Sequence, residues 1–321
     1  MTLGGEMARE PGWDGRDRRR TPRTITPEST TPLARVGSGF PLTTEELRSL
    51  VRAALDEDGA FNDLTTTATV LSNRRARGHL VARGSGVVAG IPLAVEAFCQ
   101  LDPKVTIRID AEDGTRVVRG TSVLFLSGHA RALLSAERVA LNFMQRLSGI
   151  ATLTRQFVDA VAGTGAKIYD TRKTTPGWRL LEKYAVRCAG GMNHRLDLSD
   201  AILIKDNHLA ALDGNIELAL KRVRKLAPEG ARIEVECDRV DQVRQAIDAG
   251  ADAVLLDNMS SDELRECVTI AQGRALTEAS GGIRLDTVRK VAETGVDWIS
   301  IGALTHSAIS LDIALDFETV L

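Results

Sequence analysis

No stretch of the 321 residues approaches the roughly 20 consecutive apolar positions that a membrane-spanning helix needs. Cysteine is scarce as well. The four present, Cys99, Cys188, Cys237 and Cys267, form no CxxC pair and read as reduced, mostly buried thiols of a cytoplasmic protein. Charge of one sign is missing too: a formal net charge of −2 gives no bulk attraction for nucleic acid. Residues 1–40 have almost no large apolar side chains and are rich in Arg, Thr, Pro and Gly, including Arg18-Arg19-Arg20. Such a segment cannot offset its ordering entropy by burial, so disorder is expected there. It has no apolar h-region, which excludes a secretory signal, and Glu6, Glu10, Asp14, Asp17 and Glu28 weigh against an Arg-rich targeting peptide.

What is present is a globular composition, 43% apolar and 26% charged, in a length that suits two domains or one barrel with an added module. From Thr43 the pattern is helical: a Thr N-cap, Glu45 and Glu46 in the first turn, then Leu47, Leu50, Val51 and Leu55 on one face. Short strands are expected at 79–83, 86–89, 105–109 and 122–126, with an amphipathic helix at 91–100 among them. A long helix follows over 130–162, with a break at Ser148-Gly149. After Gly163 the rhythm becomes strand, loop, helix, repeated. Strands are expected at 167–169, 201–204, 232–235, 253–256, 275–277 and 297–301, with a shorter one before Gly190. Helices are expected at 215–226, 240–249, 261–272 and 285–293. Repeated βα units call for a parallel sheet, and this many for a closed or nearly closed barrel with its chemistry at the C-terminal strand ends.

Those ends are Asp170, Lys205, Glu236, Asp257, Glu278 and Gly302, a charged or small residue at each. Between Arg172 and Lys205 stand seven basic residues (Arg172, Lys173, Arg179, Lys183, Arg187, Arg195 and Lys205), opposed only by Glu182, Asp197 and Asp200. Cations gathered at strand ends of a slightly acidic chain suit a polyanionic ligand. Glu236 and Asp257 end adjacent strands, and hard carboxylates beside a phosphate pocket suit Mg2+. They could equally stabilise a cationic transition state. Glu234 points to the same face as Glu236 and is expected in the buried barrel layer. Glu278-Ala279-Ser280-Gly281-Gly282 and the loop at Gly302 each lead a strand into a helix, the arrangement that binds phosphate on late barrel strands. Lys205 admits two readings, a Schiff-base nucleophile or a charged anchor for a carboxylate, and its arginine-rich surroundings favour the second. His194 suits either a hydrogen bond to ligand or loop packing. By pattern alone Arg138 is a solvated or ion-paired helix residue.

The strings ERVALNFMQRLSGIAT, DTRKTTPGWRLLEKYAVRCAGGMNHR, ILIKDNH, EVEC, LLDN, EASGGI and GALTHS, spread over about residues 44–316, resemble the quinolinate phosphoribosyltransferase family. The one departure is Asn62 before Asp63, where the family places Gly. The resemblance implies an α/β fold: an N-terminal α/β sandwich domain over 41–145, an open TIM-like (β/α) barrel over 146–308, and a C-terminal segment, 309–321, packing back on the first domain. It implies a soluble homodimer with shared active sites that joins quinolinate to phosphoribosyl pyrophosphate with Mg2+, releasing pyrophosphate and CO2. Carried over by position, Arg172, His194, Arg195 and Lys205 would hold the quinolinate carboxylates, and Arg138 would reach into the partner's site. Lys173, Glu236 and Asp257 would serve the phosphoribosyl pyrophosphate and its metal, and Ser280, Gly281, Gly282 and Gly302 the 5′-phosphate.

Overall fold

The computed structural model describes residues 23–25, 39–228 and 230–319. Strand β1 (Arg23–Ile25) pairs with a later strand and so is an ordered piece of the segment expected to lack structure; the rest of residues 1–38 lies outside the described residues. Helix α1 (Thr44–Glu57) starts with a reciprocal capping box: Thr43 Oγ1 accepts the Glu46 N–H and Glu46 accepts the Thr43 N–H. It buries Leu47, Val51 and Leu55, the face its spacing predicts. Helix α2 (Leu64–Thr69) is capped by Asp63, whose other carboxylate oxygen accepts from Ser135.

Strand β2 (Arg75–Ala82), the short β3 (Gly86–Val87), helix α3 (Ile91–Leu101), strand β4 (Thr106–Ile109), the short β5 (Arg116–Val117) and strand β6 (Ser122–His129) follow. An antiparallel sheet runs in the order β1-β4-β6-β2, closed at its far edge by a strand from the other end of the chain. Leu80, Ile107, Leu124 and Leu126 of the sheet and Leu93, Phe98 and Leu133 of the helices are fully buried in one core.

Helix α4 (Ala130–Ala160) is unbroken over 31 residues, where a break at Ser148-Gly149 was expected. Tertiary packing overrides the local signal. Ser148 Oγ accepts the Ala89 N–H, and a side chain at Gly149 would meet the Ile309 carbonyl oxygen at 2.2 Å, so glycine here permits close approach rather than a kink. Residue 145, the expected domain boundary, lies inside this helix.

The second domain alternates strands with helices, doubling the helix once, after its second strand. Strand β7 (Lys167–Tyr169), helix α5 (Arg179–Cys188), strand β8 (Ile202–Ile204), helices α6 (Asp206–Ala210) and α7 (Ile216–Leu226), strand β9 (Ile233–Cys237), helix α8 (Val240–Asp248), strand β10 (Ala253–Asp257), helix α9 (Ser261–Ala271), strand β11 (Leu276–Ser280), helix α10 (Val288–Ala292), strand β12 (Trp298–Ser300) and helix α11 (Ala303–His306) succeed one another. The six strands are all parallel, in the order β7-β12-β11-β10-β9-β8. On its outer edge β7 makes only an isolated bridge with Met192, so the barrel is open there. No strand precedes Gly190; α5 fills that stretch, and the bridging residue follows the Gly-Gly bend instead. Strand β13 (Ile313–Thr319) then returns to pair antiparallel with β2 over seven residues. Among the described residues no helix is long and apolar enough to cross a membrane.

Candidate active site

Alternation along parallel strands sends every second side chain to the barrel interior. Register places Glu236 beside Leu255, Leu255 beside Glu278, and Asp257 beside Ser280. These residues line one cavity of about 480 Å3 together with Thr171, Arg172, Lys173, His194, Arg195, Leu203, Lys205, Asn258, Gly281, Gly282 and Ser300. Ten of the twelve site residues expected from sequence thus converge. Gly302 abuts the group: a side chain there would meet Lys173 Cδ at 2.9 Å and His306 Nε2 at 3.2 Å. Arg138 does not join them. It is exposed on α4 and is not among the residues bordering this cavity.

Several interactions fix the cations. Arg172 Nε is buried with no hydrogen-bond partner among the described residues, a donor left for an incoming acceptor. The Lys173 carbonyl accepts from Thr305 Oγ1 at 2.7 Å, and Thr175 N donates to Glu182, itself paired with Arg146 of α4 at 2.8 Å. Arg195 is buried, and its Nη1 donates to the Ala201 carbonyl at 3.1 Å. Burial and then the neighbouring Arg172 guanidinium pull its pKa down from the ordinary value, opposed by Glu234. Lys205 makes an ion pair with Glu236. Its side chain is 42% exposed and paired with an acid, unlike the desolvated setting that activates a Schiff-base lysine.

His194 sits on the cavity floor. Its Nε2 lies 3.2 Å from both Glu234 Oε2 and Glu278 Oε2, although out of line for a good hydrogen bond to either. Its Nδ1 accepts the Arg195 N–H at 2.8 Å, which leaves the ring proton on Nε2. Burial lowers the His194 pKa and the two carboxylates raise it, to about 9 on balance. An imidazolium would forfeit the bond from Arg195, which opposes the pull of the carboxylate pair. There burial, and the nearby Glu278 carboxylate, push Glu234 up against the pull of His194. Ser300 Oγ donates to the other Glu278 oxygen.

One sequence expectation needs correction. Asp170 and Lys183 do not face the cavity. They form a buried pair at 2.5 Å, with side chains 0% and 2% exposed. Burial pushes the Asp170 carboxyl up and the Lys183 ammonium down from their ordinary values, each effect partly opposed by the partner's charge. Gly281 also makes room within the protein. At φ +92° its missing Cβ would stand 2.3 Å from Asn258 Oδ1, and Asn258, at φ +56°, donates through Nδ2 to Asp257 at 2.7 Å. The bend at Gly281 makes room for the residue that orients the Asp257 carboxylate. Asn258, Ser300 and Glu278 as a neighbour of His194 had no distinguishing local signal; only the register across β10, β11 and β12 brings them in.

An open parallel α/β barrel whose mouth gathers four cations around two carboxylates, with glycine loops on the late strands, defines a class of enzymes for phosphorylated anionic substrates. Comparison with known proteins narrows it. Residues 63–148 match the model for the quinolinate phosphoribosyl transferase N-terminal domain, and residues 150–316 match the C-terminal domain of the same family. A probable nicotinate-nucleotide pyrophosphorylase [carboxylating] of Bacillus subtilis (strain 168) is 45% identical over 271 residues, covering 84% of this chain and 93% of the relative. The nicotinate-nucleotide pyrophosphorylase [carboxylating] of Mycobacterium leprae is 46% identical over 277 residues, covering 84% and 96% respectively. The crystal structure of NadC from Streptococcus pyogenes superposes with a TM-score of 0.83 at 41% identity, over 87% of this chain and 99% of that one. The chain belongs to the quinolinate phosphoribosyltransferase family.

Proposed function

We propose that the chain transfers a phosphoribosyl group from phosphoribosyl pyrophosphate to quinolinate with loss of CO2, forming nicotinate mononucleotide and pyrophosphate. The observation that carries this reading is one cavity in which Arg172, Arg195, Lys173 and Lys205 converge opposite Glu236 and Asp257. A diacid and a sugar diphosphate are both polyanions, which accounts for a cation cluster in a chain of formal net charge −2.

Arg172, Arg195, Lys205 and His194 hold the two ring carboxylates, with the buried, unpartnered Arg172 Nε available to one of them. Lys173 contacts the diphosphate, and Ser280, Gly281, Gly282 and Gly302 receive the 5′-phosphate. Glu236 and Asp257 are two hard carboxylates on one cavity wall, a donor set that fits Mg2+ held jointly with diphosphate oxygens. When bound, Mg2+ supplies charge neutralisation for the leaving pyrophosphate. If Glu236 held such an ion it would no longer be committed to Lys205, whose ammonium would then be available to the diacid.

The bond from the anomeric carbon to pyrophosphate oxygen breaks with oxocarbenium character at the ribose, and the pyridine nitrogen forms the new bond at that carbon. The ring becomes cationic. Its adjacent carboxylate then leaves as CO2, the electron pair stays on the ring carbon beside the positive nitrogen, and a proton from solvent completes the C–H bond. The protein's part is positioning and neutralisation. We assign the working unit as a homodimer, with Arg138 supplied across the interface. The free cysteines, Cys99, Cys188, Cys237 and Cys267, fit a reducing cytoplasm.

The deciding experiment follows labelled CO2 from quinolinate with and without phosphoribosyl pyrophosphate. Release only in its presence, with equimolar pyrophosphate, is expected. Equal turnover of nicotinate and quinolinate would reject the diacid assignment.

A further inference from the structure

We propose that Asp170 and Lys183 are positioning residues that shape the diacid subsite by clamping the main chain of His194. The proposal rests on the reading, given above, that His194 and Arg195 hold the diacid. Both peptide groups of His194 are gripped by this one pair: its N–H donates to Asp170 Oδ1 at 2.8 Å, and its C=O accepts from Lys183 Nζ at 2.9 Å. The preceding residue is fixed by the same pair. Asn193 Nδ2 donates to Asp170 Oδ2 at 2.6 Å and to the Lys183 carbonyl at 2.9 Å. Arg187 Nη1 in turn donates to Asn193 Oδ1 at 2.6 Å. The clamp therefore ties the end of β7 and the middle of α5 to the loop that carries His194 and Arg195.

A buried ion pair is a poor source of stability, because desolvation of both charges offsets their attraction. Neutral side chains of similar volume would fill the space at less cost. What the pair offers instead is two charge-assisted bonds, directed to the opposite ends of a single residue, with no freedom to rotate away. Position is the gain, and binding side chains misplaced by about 1 Å can lose on the order of 100-fold in efficiency. The glycine loops assigned to the 5′-phosphate do not share this support, and Lys173, three residues after Asp170, is held by Thr305 Oγ1 at its carbonyl, at 2.7 Å. Gly281 is set against Asn258 and Gly302 against Lys173, so a loosened clamp should be felt by one substrate and not the other.

The test measures KM for quinolinate and for phosphoribosyl pyrophosphate in full-length K183M, D170N, N193A, R195A and K183M/R195A. K183M and D170N should raise the quinolinate KM about tenfold or more and leave the phosphoribosyl pyrophosphate KM within about twofold. N193A, which leaves the buried pair in place, should move the same constant by about threefold, and it carries the test should K183M fail to fold. In the R195A background K183M should add little, because it acts through the residues of that loop. Equal rises in both constants, or a fully additive double variant, would overturn the clamp. If R195A raises the quinolinate KM while K183M, D170N and N193A do not, the clamp alone is wrong. If R195A leaves it unchanged, the subsite assignment falls and takes the proposal with it.

Discussion

Asp113 lies where the two domains meet. Its Oδ1 accepts the Ile91 N–H at the start of α3, at 3.0 Å, and its Oδ2 accepts from Tyr184 of α5, at 2.7 Å. The residue as a whole is only partly buried, but its carboxylate is enclosed by these partners, and burial pushes its pKa from 3.8 up to about 6 even though the hydrogen bonds from Ile91 and Tyr184 favour ionisation. At about 1.4 kcal/mol per pH unit the full difference is worth about 3 kcal/mol, and the residual solvent contact trims this to about 2 kcal/mol. Below about pH 3.8 the carboxyl is protonated folded and unfolded, and contributes nothing to the pH dependence. Between 3.8 and about 6 the native state keeps a proton that the unfolded chain has lost, so unfolding free energy falls as pH rises. Above about 6 the whole cost is present. Asp113→Asn stays neutral throughout, accepts from Ile91 through its carbonyl and donates to Tyr184 through its amide. Urea unfolding of both proteins at pH 4, 5, 6 and 7 should show the stability of the variant relative to wild type rising by about 2 kcal/mol across that range. The difference curve cancels every other titrating group. A flat difference, or one that falls with pH, would refute the reasoning.

Gly149→Ala should destabilise the protein by about 1–3 kcal/mol in urea unfolding, because overlap with the Ile309 carbonyl outweighs the roughly 1 kcal/mol gain in helix propensity. A more stable variant would mean the packing there is slack. Gly281→Ala combines a left-handed backbone with a clash against Asn258 and should raise the KM for phosphoribosyl pyrophosphate at least about tenfold, with the quinolinate KM little changed. Arg138→Ala and Lys173→Ala proteins, each inactive alone, should regain activity when co-assembled; verified heterodimers without recovery would remove Arg138 from the site.

The parts of this molecule that declare themselves in sequence are those governed by short-range rules. The Thr43 cap, the apolar face of α1 and the alternation of strands and helices after Gly163 follow from local periodicity and are present. The cationic mouth was legible because seven basic residues crowd between Arg172 and Lys205. Sign was readable; partnership was not. Lys183 counts as a basic residue near the site in any census, yet it is spent on Asp170, since only the fold reveals which cation meets a buried acid. Ser148-Gly149 reads as a helix breaker because the constraint that straightens α4 arrives from Ile309, 160 residues later. The strand at Arg23–Ile25 was hidden for a similar reason: its ladder partner, Thr106–Ile109, supplies what its own composition lacks.

The return of β13 to β2 has a consequence for how the protein is made. Arg83 and Asp316, joined by an ion pair on those neighbouring segments, are 233 residues apart, and the entire barrel is translated between them. One edge of the first sheet therefore stands open while the ribosome completes the second domain, available for wrong pairing with other chains. A nascent chain halted before Ile313 would carry its injury at the opposite end, in the domain that emerged first, with the barrel strands all in place.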